Sequence, residues 1–527
     1  MINGSYTKFL SLRTSSAPWL IRFYTSPLFL WVILCIGFAL RLRQYLFSRS
    51  LWLDEASLAL NIVEKPFSEL LSPLAYGQGE PIGFVLLEKL VVSMFGLSEL
   101  AFRFLPFLAS VLSLFLFLHL ATRCVNPTAS RIALAIFVIS DSLVYYSAEA
   151  KRYSFEILAS LLLYQSCFYV KSNVMTAWRT FLFGSLGVIV IWFSYPSIFV
   201  LAGIGISLLT FSIVRHERGK TAIFLFACLF WFISFLTCYF VSIRHYQSIT
   251  SGWHTLFFPI SSSPISQGRW LLSSVIGVFQ SGVGLYFPGL ALLTFICGCV
   301  SFFPLKKGVF IILILPILLS LLVSSFGKYP FGGRFMLFSV PVLIIIMSNG
   351  IVLLIDKLKD GLPIAGASII ILLFLHPLYL AVFNFISPQT KEEMRSIIDY
   401  LISNHKANDK VYLYGPAHNT GKYYLDYQYK TNIDYIVGLR RSKNLADYIR
   451  DLDKIRGYKR AWIIFSQVVN NGGVNEEKFF LYHLDSIGVR LDAFKSPGAS
   501  VYLYDLSCEK TKTSGRVLTP CEQLQGG

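Results

Sequence analysis

Long apolar runs constrain this chain more than any other feature. Stretches of about 18 residues or more recur between residues 27 and 384, and each is long enough to cross the ~30 Å hydrocarbon core of a bilayer. A chain of 527 residues that is 55% hydrophobic, 16% aromatic and only 14% charged cannot hide that surface in one soluble core. The runs predict about eleven spanning helices, near 27–46, 102–122, 128–146, 153–170, 178–195, 197–214, 221–243, 286–303, 308–326, 336–355 and 362–384. The segment 81–96 is apolar too, but Glu88 and Lys89 interrupt it, so it reads as an interfacial, non-spanning segment. Residues 1–26 carry Lys8, Arg13 and Arg22 without an acid. The run that follows is too long for a signal peptide and lacks a small-residue cleavage site, so it reads as a retained first helix.

A formal net charge of +17 would point to nucleic acid in a soluble protein. Here the basic residues sit at the ends of apolar runs, where they set topology and meet anionic lipid, and no nucleic-acid-binding motif accompanies them. The connections 123–131, 171–179, 215–220 and Lys306-Lys307 are short and basic, which places them and residues 1–26 in the cytoplasm. The outer side then receives the first loop, 47–101, the turn 146–152, a long loop 244–285, the loop 327–335 and the C-terminal region. The transmembrane part thus covers 27–387. From 388 to 507, predicted strands at Val411–Gly415, Ala461–Phe465 and Ser500–Tyr504 alternate with helices near 391–405, 442–456 and 475–487, the pattern of a small extracytoplasmic α/β domain. Residues 508–527 read as a tail, in which Cys508 and Cys521 would pair in an oxidising compartment.

Three outward stretches carry the charges that chemistry needs. Trp52-Leu53-Asp54-Glu55 sets two adjacent carboxylates just beyond the first helix. Acids also favour the first turn of any helix, so this reading stands beside that of a general base at the membrane surface. Tyr146-Ser147-Ala148-Glu149-Ala150-Lys151-Arg152-Tyr153 puts Lys151 and Arg152 on the outer side, against the topology bias. A lipid-linked phosphate would partner them; snorkelling, or pairing with Glu149, is the plainer reading. Lys328-Tyr329-Pro330-Phe331-Gly332-Gly333-Arg334-Phe335 repeats the theme beside a glycine pair. Mid-helix Asp141 stands alone.

Taken in order, Trp52-Leu53-Asp54-Glu55, Glu80-Pro81 with Phe84-Val85-Leu86-Leu87, Gly96-Leu97-Ser98-Glu99 before Arg103-Phe104-Leu105-Pro106, the Tyr146–Tyr153 turn, and Gly333-Arg334-Phe335 with Pro341 resemble bacterial GT-C-type membrane glycosyltransferases related to protein O-mannosyltransferases and aminoarabinose transferases. The resemblance covers about residues 27–385. Many relatives have His or Lys where this chain has Glu80. The resemblance implies an α-helical polytopic fold and an inverting transferase in the cell (inner) membrane. It would move a sugar from a polyprenyl-phosphate donor to an outer-face acceptor: a glycolipid, polysaccharide or protein. It further implies Asp54 as base with Glu55 as reserve, and Lys151, Arg152, Arg334 and Lys328 as donor-phosphate ligands. Glu80, Tyr153, Trp52 and His254 would contact substrate. No compelling metal site stands out, since the outer loops lack a dense ligand cluster; a loosely held divalent cation near Asp54 and Glu55 stays open. The competing readings are a lipid-linked sugar transporter or flippase, which would rest on charges deep in the bundle, and a polysaccharide ligase, which would place its cations in the 244–285 loop.

Overall fold

The computed structural model describes residues 22, 24–172, 174, 176–246, 253–440, 442 and 444–507; Lys8, Arg13 and the expected Cys508–Cys521 pairing lie outside them. Seven helices are long and apolar enough to cross a membrane: Pro27–Leu46, Glu99–Cys124, Ser197–Val214, Arg218–Ile243, Pro288–Ser325, Gly333–Leu358 and Pro363–Ile386. Pro288–Ser325 contributes two crossings, because Lys306 leaves helical geometry (φ −138°, ψ 48°). The rings of Phe302 and Phe310 come within 6.2 Å, whereas eight residues of straight helix would span ~12 Å. Pro127–Ile139, Tyr153–Ser172 and Ala177–Val190 complete a bundle of about eleven helical segments, as the apolar runs predict.

Two local predictions change. The run 128–146 is not one helix: it ends at Ile139, and Asp141–Tyr146 forms a separate short helix. Asp141 therefore lies at a break in the chain. Its carboxylate accepts from Asn384 Nδ2 (2.6 Å) and from Gln389 Nε2 (3.0 and 3.1 Å). The 244–285 loop also holds a helix, Pro264–Gly277, that periodicity alone did not separate from loop.

Close backbone contact fixes the bundle. A Cβ on Gly350 would strike the Thr294 carbonyl, and one on Gly298 the Ile346 carbonyl, so the helices Pro288–Ser325 and Val340–Leu358 touch through their backbones. This is the small-residue packing expected where no hydrophobic force drives helices together.

The first outer loop folds as two helices, Leu53–Glu64 and Ile82–Phe95. At 14 residues the second is ~21 Å long, too short to span. Lys89 Nζ caps the first by donating to the carbonyls of Ile62 (2.7 Å) and Lys65 (2.6 Å).

The C-terminal region builds seven strands: β1 Lys410–Leu413, β2 Tyr435–Val437, β3 Ala461–Ser466, β4 Asn470–Asn471, β5 Val474–Asn475, β6 Val489–Ser496 and β7 Ala499–Asp505. Five make a mixed sheet in the order β2-β1-β3-β7-β6, with β1 parallel to β2 and β3, and β7 antiparallel to β3 and β6. β3 is buried throughout, as a central strand reads. This sheet and the first outer loop share one apolar core: Leu51, Phe84 and Phe102 cluster with Tyr412, Tyr423 and Trp462. Tyr424 Oη ties them further, accepting from Leu51 N (2.8 Å) and donating to Glu99 (3.0 Å).

Candidate active site

Neighbouring residues on a helix point ~100° apart, so Asp54 and Glu55, in the first turn of Leu53–Glu64, face different surroundings. Asp54 is about a quarter exposed, and its Oδ2 accepts from Arg334 Nη1 at 2.9 Å. Glu55 is fully buried in a fork–fork pair with Arg103 (Nε–Oε1 3.0 Å, Nη2–Oε2 2.6 Å) and accepts from Ala150 N at 2.7 Å. Burial raises the Glu55 carboxyl, but Arg103 and Arg49 outweigh it and leave it below the usual carboxylate range. Glu55 therefore ties the first loop to the 146–152 turn, while Asp54 meets the open space.

Arg334 is the second residue of the short 3₁₀ turn Gly333–Ser339. Gly333 sits at φ +52°, a left-handed conformation that glycine takes without strain. Trp253 packs on Phe335 with ring centroids 4.8 Å apart. The Arg334 guanidinium lies over the Tyr153 ring at 5.5 Å, and Arg152 approaches the same ring at 5.6 Å.

Glu80 gathers the two cations of the second stretch. Its carboxylate takes Lys151 Nζ (3.1 Å) on one oxygen and Arg152 Nη1 (2.9 Å) on the other, and Tyr195 Oη donates to its carbonyl (3.0 Å). Burial would raise this carboxyl, but Arg152 and then Lys151 reverse the sign and hold it at about 2. Arg152 also pairs with Glu156 (2.7 Å), and Lys151 bonds Gln78. All three members of the Glu80 cluster are buried, and the Glu80 oxygens expected to meet substrate hydroxyls are committed to cations.

Asp54, Arg334, Tyr153, Arg152, Lys151 and Glu80 thus form one connected charged region. Trp52 borders it, one ring face covered by Lys391 Nζ at 3.6 Å. His254 and Lys328 are exposed and do not line the cleft that Asp54 borders. Among the described residues no three His, Cys, Asp or Glu side chains converge as metal ligands. Asp54 and Glu55 are each paired with an arginine instead, so the donor set does not fit a cation there.

Sequence reading passed over several contributors. Lys391, on the link between membrane and soluble parts, stands 3.8 Å from Glu149. Glu149 is buried without a hydrogen bond to either oxygen, and burial, the largest influence, raises its carboxyl. Arg49 covers the Tyr145 ring at 4.1 Å. Only tertiary structure brings these together: Lys391 and Arg49 have no local motif, and Glu149, inside the Tyr146–Tyr153 turn, meets them rather than Lys151 or Arg152.

No protein-family model matches the chain, and no curated protein matches it by sequence. Solved structures do. ArnT, an aminoarabinose transferase from Cupriavidus metallidurans, bound to undecaprenyl phosphate, superposes with a TM-score of 0.52 at 10% identity, over 90% of this chain and 97% of its own. The archaeal oligosaccharyltransferase AglB from Archaeoglobus fulgidus, in complex with an inhibitory peptide and a dolichol-phosphate, gives 0.50 at 11% identity, over 92% of this chain and 74% of its own. At such identities the likeness is one of fold, and it spans membrane and soluble parts alike: the chain has the GT-C-type fold of polytopic membrane glycosyltransferases.

Proposed function

We propose that this chain is an inverting glycosyltransferase that moves a hexose or pentose from a polyprenyl-phosphate donor to an acceptor on the extracytoplasmic face of the cell membrane. The observation that carries the reading is the Asp54–Arg334 pair at 2.9 Å. It sets a half-open carboxylate against an arginine, beside the buried cations Lys151 and Arg152. The fold adds support by analogy only: the two similar structures hold undecaprenyl phosphate and a dolichol-phosphate.

In the proposed reaction an acceptor hydroxyl attacks the anomeric carbon as the bond from that carbon to the phosphate oxygen breaks. Asp54 takes the hydroxyl proton, and the lipid phosphate leaves with the bonding electrons. Such a leaving group needs charge stabilisation more than a proton. Arg334 supplies it first, because a donor phosphate competes with Asp54 for the guanidinium. Drawing Arg334 away also releases the Asp54 carboxylate to act as base, so donor binding arms the site. Lys151 and Arg152, fixed by Glu80, extend the positive field. Glu55 acts through Arg103 as a positioning residue.

The test is Asp54→Asn and Arg334→Ala beside the wild type in membranes, following transfer from radiolabelled polyprenyl-phosphate sugars to endogenous acceptors. Loss of transfer in both, with donor retained by Asp54→Asn, supports the assignment. Undiminished transfer by Asp54→Asn removes it from the chemistry. No transfer by the wild type from any donor would favour a transporter, to be tested by flux.

A further inference from the structure

A cleft of about 390 Å3 opens from Asp54 towards the soluble domain, a volume within the range of small-molecule sites. One wall is the helix Leu53–Glu64 with Ser57 one turn beyond Asp54; the other is formed by Gly415, Asn419, Arg440 and Gln467 of the α/β domain. Among the residues lining it, Asp54 is the one acid and Arg440 the one cation.

Arg440 is exposed but aimed. Its Nη2 donates to Asn419 Oδ1 at 2.8 Å and lies 3.2 Å from His418 Nδ1. Asn419 Nδ2 in turn donates to Ser57 Oγ at 2.8 Å. Burial, then the nearby charges of Arg440 and Lys422, hold His418 below its usual range, so the ring is neutral at pH 7 and its Nδ1 accepts. Among the described residues no carboxylate pairs with Arg440. The other basic side chain close by, Lys422, is spent on Glu64 at 2.7 Å. Nη2 of Arg440 is therefore used to orient it, and the guanidinium lines the cleft with Nε and Nη1 unpaired among the described residues.

We propose that this cleft is the acceptor site and that it selects a saccharide carrying a carboxylate or phosphate, read by Arg440 within a polar lining of Ser57, Gln78, Asn419 and Gln467. The proposal rests on the glycosyltransferase reading for the word acceptor, but not for the anion site itself. A guanidinium with free donors matches both oxyanions in two-point geometry. The neutral polar groups around it are held by one another and by Lys151 and Glu392, so they give the cleft a fixed polar lining, and a ligand seated there presents its hydroxyls to Asp54.

The experiment is saturation-transfer NMR on the full chain in nanodiscs, with D-glucuronate, D-glucose 6-phosphate and D-glucose as probes. The two anionic sugars should bind at least tenfold more tightly than glucose, and the better of them identifies a carboxylate or a phosphate as the preferred group. Arg440→Ala should remove that preference, Arg440→Lys should restore part of it, and Arg334→Ala should leave it intact. Equal binding of charged and neutral sugars, or an unchanged preference in Arg440→Ala, overturns the proposal. The two readings fail separately. If Asp54→Asn still transfers sugar while Arg440 governs anion binding, the anion site stands and the base assignment falls. If transfer needs Asp54 but ignores Arg440, this proposal alone falls.

Discussion

Replacing Glu55 with glutamine separates a supporting role from a chemical one. The substitution keeps the side chain's shape and removes its charge. Arg103 is then a buried cation left with the carbonyls of Arg49 (2.5 Å) and Ser50 (3.1 Å) and one neutral amide oxygen. Removing one member of a buried pair costs about 3–5 kcal/mol, and the surviving acceptors put this case near 3. At ~2–4 °C per kcal/mol for a large domain, the apparent melting temperature should fall by roughly 6–12 °C. The assay is intrinsic-fluorescence melting of the full chain in nanodiscs, run beside sugar transfer at a temperature where every variant is folded. Glu55→Gln should melt early yet retain transfer within about tenfold. Asp54→Asn should do the reverse: its partly exposed pair contributes at most ~1 kcal/mol, so melting barely moves while transfer is lost. A Glu55→Gln protein that melts like the wild type and transfers nothing would place Glu55 against substrate, and the division of labour drawn from their helical offset would be wrong.

Other perturbations follow from the same contacts. Glu80→Gln strips Lys151 and Arg152 of their shared carboxylate and adds one positive charge to the cluster, so donor KM should fall by about tenfold, or ~1.4 kcal/mol, with a smaller change in kcat; an unchanged donor KM would dissociate the cluster from donor binding. Stability should also depend on pH in two opposed ways. Glu80, held at about 2, contributes stability above its unfolded pKa of ~4.3 that is lost as pH falls towards 2. Glu392 behaves oppositely: burial, the largest influence, lifts it to about 7 against the hydrogen bonds it accepts. Its contribution is complete below ~4.3 and lost as pH rises to 7, by at most ~4 kcal/mol. Melting should therefore peak near pH 5, and Glu392→Gln should flatten only the limb between pH 5 and 7.5; an unaltered limb would show that another group titrates there. Gly350→Ala should prevent accumulation of folded protein, read by size-exclusion chromatography in detergent, since its Cβ meets the Thr294 backbone. A monodisperse variant at wild-type yield would mean that the two helices have room to separate.

How much of this was legible in the sequence follows from the range of the interactions involved. Hydrocarbon thickness acts on contiguous residues, so the bundle and the short Ile82–Phe95 helix could be read from apolar runs alone. The break before Asp141 could not, because Ser140 and Asp141 interrupt a run of hydropathy without a proline or glycine to mark the turn. In the soluble part the central strand Ala461–Ser466 declared itself by continuous burial. The edge strand Val489–Ser496 did not: its Arg490, Asp492 and Lys495 look like loop until β7 pairs with it.

The same distinction applies within the candidate site. Asp54, Lys151, Arg152 and Arg334 stood out because charges at a membrane boundary are conspicuous one residue at a time. What each charge faces is a different matter, settled by partners 48 to 280 positions away. Glu55 resembles Asp54 in sequence and differs from it through its burial against Arg103 and the Ala150 amide. Glu80, conspicuous as a departure from the family pattern, works with Lys151 and Arg152 as a unit that neutralises one of their two charges. The net charge offered to a donor phosphate by that cluster is therefore smaller than a count of cations implies. Arg334, whose one acidic partner at salt-bridge distance among the described residues is Asp54, is in the proposed reaction the cation whose freedom depends on the donor. On this reasoning donor and acceptor binding are linked through one 2.9 Å contact. In the proposed reaction the residue that strips the leaving phosphate of its charge penalty is the one that must first let go of the base.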